Sequence, residues 1–246
     1  MSQVRPTTAV IHLDALQQNL RAVREIIPTE TGILAAIKGD AYGHGAQECA
    51  KALERVGVDW FGVALVEEGR ALRQSGIKKP ILCLGGVGPA GADAAIDSNL
   101  TPVVSGLTDA EAIEKAAKSR HEPWGIHLKV DTGMGRLGVP ISEWERFLDR
   151  LAEFRWLRVD GICSHLSDSE ENDGPGAVWT AEQGRRFLTA VQAARARGFH
   201  PPLLHLANSG AILHRPQFHW DLVRPGLLLY GHTPFGPNHE TTKRVP

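Results

Sequence analysis

The sequence predicts an α/β protein, an eight-stranded parallel barrel of the (β/α)8 or TIM barrel class, and three observations carry that expectation. Eight short apolar runs recur along the chain, at 34–37, 60–65, 80–84, 102–104, 124–130, 159–165, 203–206 and 222–223. They are nearly continuous in apolar character rather than alternating, as strands covered on both faces of a parallel sheet must be. Helical patterns lie between most of them, and 246 residues is close to the length one barrel takes. A doubly wound nucleotide fold would carry a glycine fingerprint at its first strand–helix turn, and none is present.

Taken in order, Leu13, Leu16, Leu20 and Val23 predict a first helix, with Asp14 as N-cap and Gln17 as its capping-box partner. The run 34–37 delivers Lys38 into a glycine-rich turn, Gly39 to Gly45. Residues 46–56 read as a helix stopped by Gly57, and residues from about 180 to 197 as another stopped by Gly198. The fifth run leads into Asp131 and Arg136, the sixth closes on His165, and the seventh contains His205 and precedes Asn208-Ser209-Gly210. The eighth is followed by Arg224-Pro225-Gly226. From Thr233 onward periodicity is lost. Residues 1–232 are therefore expected to form the barrel domain, and 233–246 a linker or truncated tail toward a further domain that is absent.

Composition narrows the class of function. A formal net charge of -1 leaves no electrostatic footprint for nucleic acid or an anionic membrane. No apolar run approaches the roughly 18 residues of a spanning helix, and Met1 to Thr8 lacks the apolar core of a signal peptide. Cys49, Cys83 and Cys163 have no metal-ligand spacing and read as buried reduced thiols of a cytoplasmic protein. No metal site is expected.

In such a barrel the chemistry sits where strands finish, so the polar residue past each apolar run is the place to look. Lys38, Lys129, Arg136, His165, His205, Asn208, Ser209 and Arg224 all stand there. Each has an ordinary reading: a solvated strand end for Lys38, a turn for Asn208-Ser209, a surface residue for Arg224. His127 lies inside its strand and reads as structural, and His44 as a cap or a carbonyl partner. Together they surround one mouth with two lysines, two histidines and two arginines. A lysine desolvated at a strand end gives up its proton more easily and is suited to Schiff-base chemistry. Opposite it, the loops after strands seven and eight supply hydroxyl and backbone donors with little bulk, where barrels frequently bind phosphate.

Four motifs in this order resemble alanine racemases: Lys38 to Gly45, Lys129 to Gly138, His205-Leu-Ala-Asn-Ser209, and Arg224-Pro-Gly226 with Tyr230-Gly231. The resemblance covers essentially the whole chain as the N-terminal barrel of that family. It implies pyridoxal 5'-phosphate as cofactor and the interconversion of L- and D-alanine, which supplies D-alanine for peptidoglycan. Lys38 then looks like the lysine that forms the Schiff base and the base on one face of the substrate α-carbon. Tyr42, Ser209 and the backbone of Gly226 and Leu227 would contact the phosphate, with Asn208 beside them, and His165 would lie near the ring face. Arg136 would meet the cofactor's phenolic oxygen and the substrate carboxylate. Lys129 corresponds to a position the family often carbamylates. Arg224 would face the pyridine nitrogen, where a guanidinium with a pKa above about 12 leaves the ring largely neutral. That favours return of the proton to the α-carbon over transamination.

Two departures stand out. Gly39 occupies a position where alanine is more usual, a change expected to be of little consequence. Family members also continue into a β-rich domain whose tyrosine serves the partner subunit's barrel, in a homodimer. Here the only tyrosines are Tyr42 and Tyr230, both within barrel motifs. The chain alone is expected to bind cofactor but racemise poorly, because racemisation needs a proton group on each face. Two other classes stay open on the sequence. One is a non-catalytic, single-domain pyridoxal-phosphate homeostasis protein. The other is a metal-dependent barrel hydrolase, whose His-x-His pair on the first strand is missing.

Overall fold

Each of the eight apolar runs forms a strand, and the strands join by parallel pairing. The structure is a computed structural model and describes residues 7–233. Its strands are β1 (Gly32–Ala36), β2 (Trp60–Val63), β3 (Ile81–Cys83), β4 (Thr101–Val104), β5 (Trp124–Asp131), β6 (Val139–Pro140), β7 (Leu157–Cys163), β8 (Leu203–His205) and β9 (Leu222–Val223). The spatial order runs β8-β7-β5-β4-β3-β2-β1-β9, with the two-residue β6 set beside β5 off that path. The ring closes between β8 and β9. There Asp221 N–H donates to Leu204 O at 3.2 Å and Arg224 N–H to Ala207 O at 2.9 Å, while the Asp221 carboxylate accepts from Leu204 N–H at 2.8 Å.

The helices are α1 (Leu13–Ile26), α2 (Lys38–Gly43), α3 (Ala46–Arg55), α4 (Val66–Gln74), α5 (Gly88–Asp97), α6 (Leu107–Ser119), α7 (Trp144–Leu151), α8 (Gly174–Ala196) and α9 (Ser209–His214). Strand side chains alternate between the two faces of the sheet. Ile33, Ala35, Ile37, Phe61 and Val63 therefore join the helices' buried residues in the outer core. A second cluster of Leu34, Leu82, Val103, Cys163 and Leu222, flanked by Trp60 and Leu84, fills the barrel interior. His127, Lys129, His205 and Arg224 are also buried. The interior thus has an apolar side and a basic side.

Local capping loses to tertiary contact at α1. The helix starts at Leu13 with His12 as N-cap and no side-chain cap bond, so Asp14 lies in the first turn. Gln17 instead donates to Ala52 O at 2.9 Å and ties α1 to α3. Gly57 and Gly198 do end their helices, each with φ of 84°. The second of those helices, α8, starts at Gly174 rather than near Thr180, because Pro175 in its first turn already has helical φ. The expected linker lies outside the described residues, apart from Thr233.

The turn after β1 departs furthest from expectation. Gly39, Asp40, Ala41 and Tyr42 all have φ between 53° and 61°, with ψ between 36° and 48°, one turn of left-handed helix. For a residue with a Cβ that region costs about 1–2 kcal/mol, and three of the four have one. Several hydrogen bonds hold the turn: Ala41 N–H to Ile37 O at 2.9 Å, Gly45 N–H to Asp40 O at 3.0 Å, and Ala46 N–H to the Asp40 carboxylate at 2.7 Å.

Candidate active site

A cavity of about 470 Å³ opens where the barrel strands end, within the range of small-molecule sites. All eight ring strands reach it directly or through the residues that follow. Lys38 and Tyr42 come from the turn after β1, Lys129 from β5, Arg136 from the loop after it, and His165 from just past β7. Asn208 and Ser209 follow β8, and Arg224, Gly226 and Leu227 follow β9. Of the residues expected at the mouth all but His205 therefore line one space, and His205 is buried behind Arg224.

Its charge is unbalanced. Lys38, Lys129, Arg136 and Arg224 are cations, and Glu170 is the carboxylate among the lining residues. Burial lowers the Lys38 pKa, Arg136 and Arg224 push the same way, and Glu68 opposes them. Lys129, only 8% exposed, is also lowered, first by burial and then by the neighbouring cations Arg224, Arg136 and Lys38 against Cys163. Neither amine has an ion-pair partner among the described residues. Arg136 stands exposed on the rim, also without an ion pair there. Such a space selects for anions.

Arg224 is the best-held cation. Its Nη1 donates to His205 Nδ1 at 3.0 Å and His205 O at 2.8 Å, and its Nη2 to Ser164 O at 2.7 Å and Leu206 O at 3.1 Å. Because His205 Nδ1 accepts, its proton sits on Nε2, which donates to His127 Nδ1 at 2.8 Å. His127 Nε2 then carries a proton and has no partner among the described residues. Burial keeps the row neutral, holding His127 at about 4 and His205 well below its usual value, with Arg224 acting in the same direction. Among the described residues no carboxylate neutralises the guanidinium, and burial lowers its pKa from the usual arginine range. His165, held at about 2 by burial and then by Arg224, Lys129, Arg136 and Lys38, is a neutral ring at the wall.

Past β9, the strand that pairs with β1, the backbone forms a donor cradle. Ser209 Oγ accepts from Gly226 N–H at 3.0 Å and from Leu228 N–H at 3.4 Å, the role an anion's oxygen would take. A Cβ on Gly226 would come within 2.7 Å of the Tyr42 hydroxyl, so the close approach requires glycine. Burial raises the Tyr42 pKa, which keeps the phenol a donor. Asn208 also lines the cavity, and its side chain serves the fold as well. Its side-chain oxygen caps α9 through Ala211 N–H at 3.2 Å and accepts from Ser169 Oγ at 2.6 Å, so that oxygen positions the cradle. Tyr230 donates to Ala36 O at 3.1 Å, and its ring lies 5.0 Å from that of Tyr42 and 4.8 Å from that of His44.

The profile of the alanine racemase N-terminal domain matches residues 11–234. The chain belongs to that family. An alanine racemase of Citrifermentans bemidjiense is 44% identical over 234 residues, which is 94% of this chain and 62% of that protein. The solved alanine racemase of Clostridium difficile 630 superposes with a TM-score of 0.91 at 33% identity, over 98% of this chain and 62% of that one. A structure of that enzyme with cycloserine gives 0.92 at 33%, over 99% and 66%. The family barrel spans somewhat under two thirds of the length of such relatives.

Sequence reasoning missed one group at this site. Glu68, in the first turn of α4, accepts from Gly39 N–H at 2.6 Å and from Ala64 N–H at 2.7 Å. Its capping of α4 was legible as a glutamate three residues after Leu65, but its reach to Gly39 crosses 29 residues. Asp131 proves to be a loop organiser instead of a mouth residue. Its carboxylate accepts from the N–H groups of Gly133, Met134 and Gly135 and so shapes the loop that carries Arg136. Among the described residues no group of three or more His, Cys, Asp or Glu side chains could hold a metal ion, and no helix is long and apolar enough to cross a membrane.

Proposed function

We propose that this chain is the pyridoxal-phosphate-binding barrel of an alanine racemase, interconverting L- and D-alanine and supplying D-alanine for peptidoglycan in the cytoplasm. One observation carries the reading: a partly buried lysine with a lowered pKa shares one cavity with an anion cradle on the neighbouring strand end and with a buried arginine that has no counter-ion among the described residues. The residues fit the cofactor, since Ser209 and the N–H groups at Gly226 and Leu228 already form a donor set that Gly226 leaves open. When bound, pyridoxal phosphate supplies an aldehyde for an amine and a conjugated ring that takes up an electron pair from the α-carbon.

The chain's own residues account for the rest. Lys38 would hold the cofactor, and its amine, when free and neutral, can take or return a proton on one face of the substrate α-carbon. Ser209, Tyr42 and the backbone of Gly226 and Leu227 would hold the phosphate, and His165 would pack near the ring. Arg224 stays charged because it donates to three carbonyls and an imidazole, and it would meet the pyridine nitrogen as a donor, leaving the ring unprotonated. Arg136 would bind the substrate carboxylate, a role the non-catalytic carrier has no use for. Lys129, buried without an ion pair, is suited to carbamylation, which would turn its charge from positive to negative beside Arg136.

Borohydride reduction of the chain after incubation with pyridoxal phosphate, followed by peptide mapping, tests the assignment. Modification at Lys38 is expected. Stable modification at another lysine, with Lys38 untouched, would overturn it.

A further inference from the structure

We propose that Glu68 is a positioning residue for Lys38, clamping the left-handed turn that presents its amine to the cavity. The inference rests on the reading of Lys38 given above. Its basis is geometric. Gly39 N–H, the first donor after the lysine, is bound by Glu68 Oε1 at 2.6 Å. The other carboxylate oxygen accepts from Ala64 N–H at 2.7 Å and Leu65 N–H at 3.2 Å, just past β2. One side chain thus joins the end of β2 to the residue after Lys38, and β1 and β2 are neighbours in the ring.

The turn needs such a clamp. Asp40, Ala41 and Tyr42 hold positive φ, which their side chains disfavour. Of its other bonds, Ala41 N–H to Ile37 O spans the lysine, while those from Ala46 N–H to Asp40 and from Gly45 N–H to Asp40 O lie toward its far end. Glu68 alone, among the described residues, holds the Gly39 N–H. A charged acceptor is stronger than a neutral one there.

The same carboxylate acts on the amine's charge. Around Lys38 the cations are Arg136 from the loop after β5, Lys129 on β5 and Arg224 after β9, with neutral His165 past β7 and Tyr42 on the turn itself. Glu170 lines the same cavity from the loop after β7. Glu68 is the group that raises the Lys38 pKa against burial and the two arginines. Removing its charge leaves the amine more readily neutral, and removing its side chain leaves the turn unclamped.

Competitive acetylation of the cofactor-free chain across a pH series, read lysine by lysine by mass spectrometry, separates these effects. Glu68→Gln removes the charge and keeps one of the two acceptor oxygens, and should shift the Lys38 midpoint downward without moving the midpoint of Lys51. Glu68→Ala should in addition speed hydrogen exchange at Gly39 by about ten- to a hundredfold, as loss of a charged hydrogen bond implies. Glu67→Gln, on an exposed neighbour, should do neither. If Glu68→Ala proves too unstable to study, the Lys38 midpoint in Glu68→Gln still decides. An unmoved midpoint in Glu68→Gln would refute the proposal, as would unchanged Gly39 exchange in a folded Glu68→Ala. The labelling needs no cofactor, so its outcome is independent of borohydride trapping. Trapping at another lysine would sink the assignment of Lys38, whereas an unmoved midpoint would sink the clamp alone.

Discussion

Gly39→Ala tests the backbone argument at the lysine turn with a single methyl group. Gly39 has φ 61° and ψ 46°, and a Cβ built there meets nothing within 4 Å. Contact therefore contributes nothing, and the cost is conformational. Placing a Cβ in the left-handed region costs about 1–2 kcal/mol, while the substitution restricts the unfolded chain by about 0.4–1 kcal/mol in the opposite direction. The net is a loss of about 1 kcal/mol. For a chain of this size that lowers Tm by roughly 2–4 °C.

A second glycine supplies the control. Gly106, ahead of α6, has an extended φ of 177° and likewise nothing within 4 Å of a built Cβ. Gly106 is also the N-cap of α6, where alanine is less favourable than glycine, so the unfolded-state gain of about 0.4–1 kcal/mol is offset and Gly106→Ala should be close to neutral. Urea unfolding of the cofactor-free chain, followed by tryptophan fluorescence, would compare the two variants directly. Only Gly39→Ala is expected to lose stability clearly. A Gly39→Ala chain as stable as the parent, with Gly106→Ala behaving as stated, would refute the conformational account of the turn.

Other perturbations probe the cavity. His127, His165 and His205 are neutral in the fold because their pKa values lie below the usual 6.5, at about 4 for His127 and about 2 for His165. Unfolded histidines take up protons below about pH 6.5, so stability should be fully present above that pH and fall below it, at up to about 1.4 kcal/mol per pH unit for each histidine. A urea midpoint that stays flat between about pH 7 and pH 5 would contradict this. Ser209→Ala removes the acceptor shared by the Gly226 and Leu228 N–H groups and should weaken pyridoxal phosphate binding about tenfold or more. Pyridoxal, which lacks the phosphate, should lose far less in the same titration. Finally, on the proposed reading, the loaded chain in deuterated water should exchange the α-proton of alanine about 10²–10⁴-fold faster than it interconverts the enantiomers, since Lys38 would serve one face and the Tyr230 hydroxyl is committed to Ala36 O. Equal rates of exchange and interconversion would count against that.

The architecture was legible because parallel strands packed on both faces write themselves as unbroken apolar runs. All eight were found, with ends displaced by one to a few residues, as at β7, which spans 157–163 against an expected 159–165. The site was legible for a related reason: strand ends face one mouth, so Lys38, Lys129, His165, Ser209 and Arg224 could be gathered by position alone. What escaped depends on partners far away in the chain. Asp14 and Gln17 satisfied a local capping rule, but Gln17 found Ala52 instead. Asn208 was expected beside the cofactor, and its side-chain oxygen was not foreseen as the cap of the helix that begins at Ser209.

Gly39 brings the two kinds of information together. Compared with the family's usual alanine it looked like a neutral exchange, because neither residue carries chemistry. The fold gives it a consequence: it opens a left-handed turn in which three following residues bear the penalty that glycine avoids. Nothing in Asp40-Ala41-Tyr42 favours that geometry strongly, so the turn exists because surrounding bonds outweigh its strain, from Ile37 O to the Asp40 cap and Glu68. The segment that names the chemistry in sequence is thus the one whose shape the sequence nearby cannot specify. Variation at Gly39 or Glu68 should accordingly be read as acting on the presentation of Lys38, even though neither residue need touch a substrate.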